Sequence, residues 1–138
     1  MRLRYLVIGL MISLICAAGA TAAMQKGSLH ATLTGKAETP KGDPDGSGTA
    51  EVTINGTRVC WEIHATKVAP LLAAHIHKGK PGVSGPVVVP FGKTFKSKGC
   101  TRATSSLTAA ILRNPGAYYV NVHNAKYPGG ALRGQLHS

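Results

Sequence analysis

A chain of 138 residues is about one domain's worth, which excludes a two-domain enzyme, a dinucleotide fold with a substrate domain, and a repeat array. Sixteen Lys and Arg against five Asp and Glu give a formal net charge of +11. At 43% hydrophobic the chain is too apolar for a disordered tail, while its 17 Gly and 8 Pro interrupt it too often for a helical bundle. What remains is one small domain, all-β in class.

The start of the chain stands apart from that domain. Met1-Arg2-Leu3-Arg4 is basic, Tyr5 to Ala18 is uncharged and apolar, and Ala20-Thr21-Ala22 fits an A-x-A cleavage site. That order reads as a secretory signal peptide over residues 1–22, ahead of a mature domain over 23–138. The apolar run is shorter than the roughly 20 residues of a membrane span, so no transmembrane segment is expected after cleavage. Lipidation at Cys16 is disfavoured because bulky Ile15 precedes it. A secreted or periplasmic location follows.

Ser28 to Thr34 alternates apolar and polar residues, which predicts a strand with Leu29, Ala31 and Leu33 inward. Pro40 to Gly48 is a turn-rich loop, where Asp43 and Asp45 read as turn residues. Thr49–Ile54 and Thr57–Ile63 flank Asn55-Gly56, a strong hairpin signal, and Trp61 is expected as a core anchor. Asn55-Gly56-Thr57 is formally a glycosylation sequon, which the turn explains equally well. Leu71–His77 reads as a strand and Pro86–Phe91 as a short buried one. Ser105–Asn114 is the single helical stretch, stopped by Pro115. Ala117–His123 and Ala131–Leu136 complete about seven strands, the pattern of an Ig-like or Greek-key β-sandwich or barrel with one short helix.

Cleavage after residue 22 leaves two cysteines, Cys60 and Cys100, and in an oxidising compartment a disulfide is favoured over metal-binding thiolates. The positive charge is spread along the chain; Lys93 to Lys98 is the nearest thing to a cluster and no aromatic platform interleaves it beyond Phe95, so no nucleic-acid partner is expected. For an exported protein, an anionic polymer or an extracellular protein is the more natural partner.

Six histidines carry what chemistry there is. Residues two apart on a strand share a face, so His75 and His77 point the same way, opposite Ala74 and Ile76. Likewise Tyr119, Asn121 and His123 face away from the core side of Tyr118, Val120 and Val122. If the two strands are neighbours, His75, His77 and His123 form a three-histidine site of a kind that suits copper or zinc. The alternative is three solvated surface histidines. His30, His64 and His137 read as surface residues. No nucleophilic triad or phosphate-binding glycine loop is present, so no catalytic residues are assigned.

Four linked motifs resemble the CHRD (chordin-type) domain: Ala74-His75-Ile76-His77, Gly85-Pro86-Val87-Val88-Val89-Pro90, Tyr118 to His123, and Pro128 to Leu136. Leu33 to Pro40 is similar to that family's opening segment, so the resemblance spans about residues 28–136. It implies an extracellular or periplasmic Ig-like β-barrel, with binding rather than catalysis as the expected role. The order His-x-His, Gly-rich loop, Val-x-His is also similar to the copper-site order of Cu/Zn superoxide dismutases. By position, that likeness implies His75, His77 and His123 as copper ligands and Arg133 as an anion guide. The stretch from Gly85 to Lys98 holds no His or Asp for a zinc, and no fourth copper donor is evident. The roles of Glu38 and Asn121 stay open. The function expected is an exported, non-catalytic binding protein with a copper-holding surface site. Its alternatives are a copper-only dismutase-like redox enzyme and a structural or adhesive domain.

Overall fold

The computed structural model describes residues 24–138; the segment read as a signal peptide, 1–22, lies outside them. Eight antiparallel strands form one sheet: β1 (Lys26–Thr34), β2 (Ser47–Asn55), β3 (Arg58–Thr66), β4 (Leu71–Lys78), β5 (Val87–Pro90), β6 (Lys98–Arg102), β7 (Tyr118–Asn124) and β8 (Leu132–Gln135). Their spatial order is β5-β4-β7-β8-β1-β2-β3-β6. β8 meets β1 in register at a single pair, Thr34 and Arg133, so the sheet bends there into two four-stranded halves. The all-β expectation, a sandwich or barrel with one short helix, holds.

Alternation of side chains decides which face closes inward. Leu29, Ala31 and Leu33 of β1 meet Ala50, Val52 and Ile54 of β2, Val59, Trp61 and Ile63 of β3, and Ala74, Ile76, Val120, Val122 and Leu132 from the other half. Each large aliphatic side chain removed from water contributes on the order of 2 kcal/mol. The connector after β5 joins the two halves. Phe91 stacks on Trp61 with ring centroids 4.4 Å apart, and the Trp61 indole N–H donates to the Lys96 carbonyl. The Phe95 amide donates to Leu72 of β4, and the Ile63 amide of β3 donates to Ser97. The only α-helix among the described residues, α1 (Ser105–Arg113), is capped by the Thr104 hydroxyl accepting from the Leu107 amide, and it buries Ile111.

Three local expectations are corrected. The hairpin loop is Gly56-Thr57, closed by the pair Asn55 and Arg58. Only its first position is left-handed, with Gly56 at a φ of 58°, the pattern of a type II′ turn rather than the type I′ turn that Asn-Gly favours. β5 is an edge strand rather than a buried one: Val89 is buried, but Val87 is exposed. The eighth strand, β6, carries no apolar alternation. It is held by backbone pairing to β3, by Trp61 packed on Gly99, and by the Cys60–Cys100 disulfide, which joins directly opposed residues.

Candidate metal centre

The outer face of β4, β7 and β8 is a grid fixed by register. His75 lies opposite Asn121, and Asn121 lies opposite Arg133. His77 lies opposite Tyr119, and Tyr119 lies opposite Gln135. His123 lies two residues beyond Asn121, across from Ala73. The expected juxtaposition of the two histidine strands is therefore present, with β4 and β7 as neighbours.

The three imidazoles converge. One ring nitrogen from each of His75, His77 and His123 lies within 4.8 Å of the others. His75 Nδ1 and His123 Nε2 are 3.3 Å apart. Two nitrogens bound to one tetrahedral ion at about 2.0 Å stand about 3.3 Å from each other, so this pair already has ligand spacing. The opposite edges of two rings are anchored to backbone. His77 Nδ1 sits 2.8 Å from the Gly85 carbonyl and His123 Nδ1 sits 2.9 Å from the Pro128 carbonyl. A carbonyl only accepts, so both Nδ1 atoms carry the proton, and each Nε2 turns a bare lone pair to the cluster. His77 Nε2 is buried and has no hydrogen-bond partner, an orphan a cation would satisfy.

Burial makes these rings poor bases. His75 is pushed down to about 4, first by desolvation and then by the neighbouring His123 and His77. His77 is also lowered, chiefly by desolvation, although its bond to Gly85 opposes the shift. Neutral imidazole is the metal-binding form, so both rings are kept competent below the usual histidine range.

The site is not on an open surface, and here the sequence reading is corrected. Tyr119 and Asn121 face away from the barrel core yet are only 3% and 2% exposed. The connector between β4 and β5 covers Tyr119. Tyr119 stacks on His77, its hydroxyl accepts from the Gly85 amide, and the Arg133 guanidinium lies over its ring at 3.4 Å. Arg133, the expected anion guide, is 1% exposed. Nη1 donates to the Val83 carbonyl, and Nη2 donates to the Lys80 carbonyl and to Gln135 Oε1. Gly85 has to be glycine here, because a Cβ would run into the Lys78 carbonyl.

A second segment covers the other flank. Glu38 follows a short 3₁₀ turn (Gly35–Ala37), is buried, and packs so closely on Gly130 that a Cβ there would run into its carboxylate. Desolvation raises its pKa, opposed by Asn121, the Thr39 backbone N–H, and the charges of Arg133 and His123. Asn121 Oδ1 is 3.0 Å from His123 Nε2. The open question about Asn121 is thus answered: it is buried against a histidine rather than facing solvent. Asp43 accepts from the Asp45 and Gly46 amides through Oδ1 and shapes the same segment, as a turn residue does. His30, His64 and His137 lie on the other half of the sheet, outside the convergent cluster, with His64 paired to Glu62.

Fold and site together define a small antiparallel β-barrel bearing a sheltered three-imidazole cluster on its outer wall. The chain belongs to the CHRD domain family, whose profile matches residues 29–136, nearly all of the described domain. No curated protein and no solved structure is significantly similar to it. The likeness to Cu/Zn superoxide dismutases rests on the order of the histidine motifs alone. Among the described residues no helix is long and apolar enough to cross a membrane.

Proposed function

We propose that this is an exported metal-binding CHRD domain whose His75, His77 and His123 hold a single copper ion. The observation that carries this reading is the buried, unpartnered Nε2 of His77, held at the cluster by the bond from its own Nδ1 to Gly85. Family membership supports a binding role outside the cytoplasm, and the N-terminal 22 residues have the order of a signal peptide. All-nitrogen donors suit Cu(II) or Zn(II) rather than magnesium or calcium, which take oxygen. When bound, copper would supply a redox-capable Lewis acid. The chain's own residues fix the tautomers of His77 and His123 through the Gly85 and Pro128 carbonyls, and burial favours the neutral forms of His75 and His77. Arg133 works in this reading as the clamp of the β4–β5 connector, so the dismutase-like alternative draws no support from it.

The test is a Cu(II) titration of the mature, metal-free protein followed by EPR. One tight site with nitrogen hyperfine structure is expected, and it disappears in the His75→Ala/His77→Ala/His123→Ala variant. Equal weak binding by both proteins would refute the site. The pH profile is a second check. Sequence alone sets proton competition near 6.5, but burial of His75 and His77 moves their share of it downward. Log Kd should therefore change by clearly less than three units per pH unit from 6.5 to 5, with His75 adding its proton only as pH approaches 4. A three-proton slope already present at pH 6 would contradict the sheltered geometry.

A second reading, docking of an anionic polymer, is supported by Lys93, Lys96 and Lys98, which line one depression beside Gly99 and Thr101. Binding of that kind would weaken steeply between 50 and 500 mM salt, because the screening length of exposed charges shrinks from about 14 Å to about 4 Å over that range. The triple histidine variant would leave it unchanged.

A further inference from the structure

Three imidazoles leave a first-row ion short of a full coordination shell, and the motif order supplies no fourth histidine. The grid nevertheless places one more donor at the cluster. Asn121 sits directly across from His75 and two residues from His123, on the same face as both. It is 2% exposed, so its amide has no bulk water to face. Its Oδ1 lies 3.0 Å from His123 Nε2. Because His123 Nδ1 holds its proton against Pro128, that contact sets a carbonyl-type oxygen against a bare lone pair. Two acceptors 3.0 Å apart repel unless something positive lies between or beside them. A proton can play that part, and so can a metal ion that both atoms ligate.

Which end of the amide faces the rings follows from its other neighbour. The Glu38 carboxylate is buried beside Asn121, and an ionised carboxylate only accepts, so it attracts the NH₂ end. The carbonyl oxygen is then left for the histidines. Glu38 itself is fixed by its close packing on Gly130.

We propose that the Asn121 amide oxygen is the fourth donor of the three-histidine centre, with Glu38 as the positioning residue that keeps that oxygen aimed at the ion. The proposal rests on the copper reading above and gives it a coordination set of three nitrogens and one neutral oxygen. A weak amide oxygen beside stronger nitrogen and sulfur donors is an accepted arrangement for copper, where side-chain glutamine oxygen serves as an axial ligand.

The test compares wild type, Asn121→Ala, Asn121→Leu, Asn121→Asp, Glu38→Ala and Glu38→Gln, each loaded with one equivalent of Cu(II). The readouts are Kd, EPR, and the relaxation rate of water protons, which reports copper-bound exchangeable water. In Asn121→Ala the position passes to water: Kd weakens about tenfold or more, relaxivity rises, and the histidine hyperfine pattern persists. Asn121→Asp retains an oxygen donor with added charge and should bind at least as tightly as wild type. Glu38→Ala should move toward the Asn121→Ala values, and Glu38→Gln should restore wild-type relaxivity. If Asn121→Ala fails to fold, Asn121→Leu, which keeps the volume without the oxygen, replaces it. Unchanged Kd and relaxivity in the Asn121 variants, with binding still lost in the triple histidine variant, would overturn this assignment alone. Absence of tight copper in wild type would instead overturn the three-histidine reading beneath it.

Discussion

Replacing both Cys60 and Cys100 by serine should lower the free energy of unfolding by about 4 kcal/mol, the chain-entropy value for a closed loop of this length. The bond spans a separation of 40 residues, and that long loop is what makes the expected loss large. The environment makes it a clean measurement. Cys100 is exposed and Cys60 half-buried on the outer face, so serine brings little desolvation cost and leaves no cavity. β6 is an edge strand whose only register partner is β3, and the bond staples the two at their middle pair. Urea unfolding should show a lower midpoint and a steeper slope, since the freed chain exposes more surface when unfolded. Copper affinity should not move, because β6 lies at the far end of the strand order from β4 and β7. A joint fall in stability and affinity would mean that the two halves of the barrel are coupled more tightly than the register suggests.

Arg133→Met should cost about 3–5 kcal/mol, the range for breaking up a buried charged group held by partners. Methionine keeps much of the stem's packing but abandons the carbonyls of Lys80 and Val83, which the guanidinium serves at 2.8 and 2.9 Å. It also removes the cation from the Tyr119 face and the Arg133 charge that favours the Glu38 carboxylate. Thermal unfolding should come down by roughly 10 °C or more for a domain of this size. Unlike the cysteine variant, this one should also weaken copper binding. The released connector carries Gly85, whose carbonyl holds His77 in its ligand tautomer. Amide exchange should accelerate between Gly79 and Gly85, while β1 to β3 stay protected. A variant that loses stability but retains full affinity would show that His77 needs no help from the connector.

The inner face of the barrel was legible from residues alone. Leu29, Ala31 and Leu33, and then Ala50, Val52 and Ile54, alternate with polar residues so regularly that their burial follows from period two. The histidine face was legible as well, because His75, His77 and His123 take the opposite parity to Ala74, Ile76 and Val122. The shelter over that face was not. It is built from carbonyls of a Gly, Pro and Ser connector, and such a segment has no apolar signature to announce that it packs on anything. Arg133 and Glu38 are misleading for a related reason: charged side chains are usually solvated, and only partners from distant segments, about 50 residues away for Arg133, allow these two to be buried. One signal did point to the arginine. It alternates with Leu132 in the same parity as Gln135, which places it on the face of Asn121 and Tyr119. β6 escaped notice because Lys98-Gly99-Cys100-Thr101-Arg102 is an edge strand that owes its place to backbone pairing rather than to apolar side chains.

Covering the outer wall on one half of the barrel only has an effect on how freely the chain can drift in sequence. Along β2 every second residue opens to solvent, so half of its positions can accept almost any polar substitute at little cost. Along β7 both parities are enclosed, the apolar set by the core and the polar set by the two covering segments. Evolution therefore has period-two latitude along β2 and almost none along β7. The strand with least latitude is the one that carries Tyr119, Asn121 and His123.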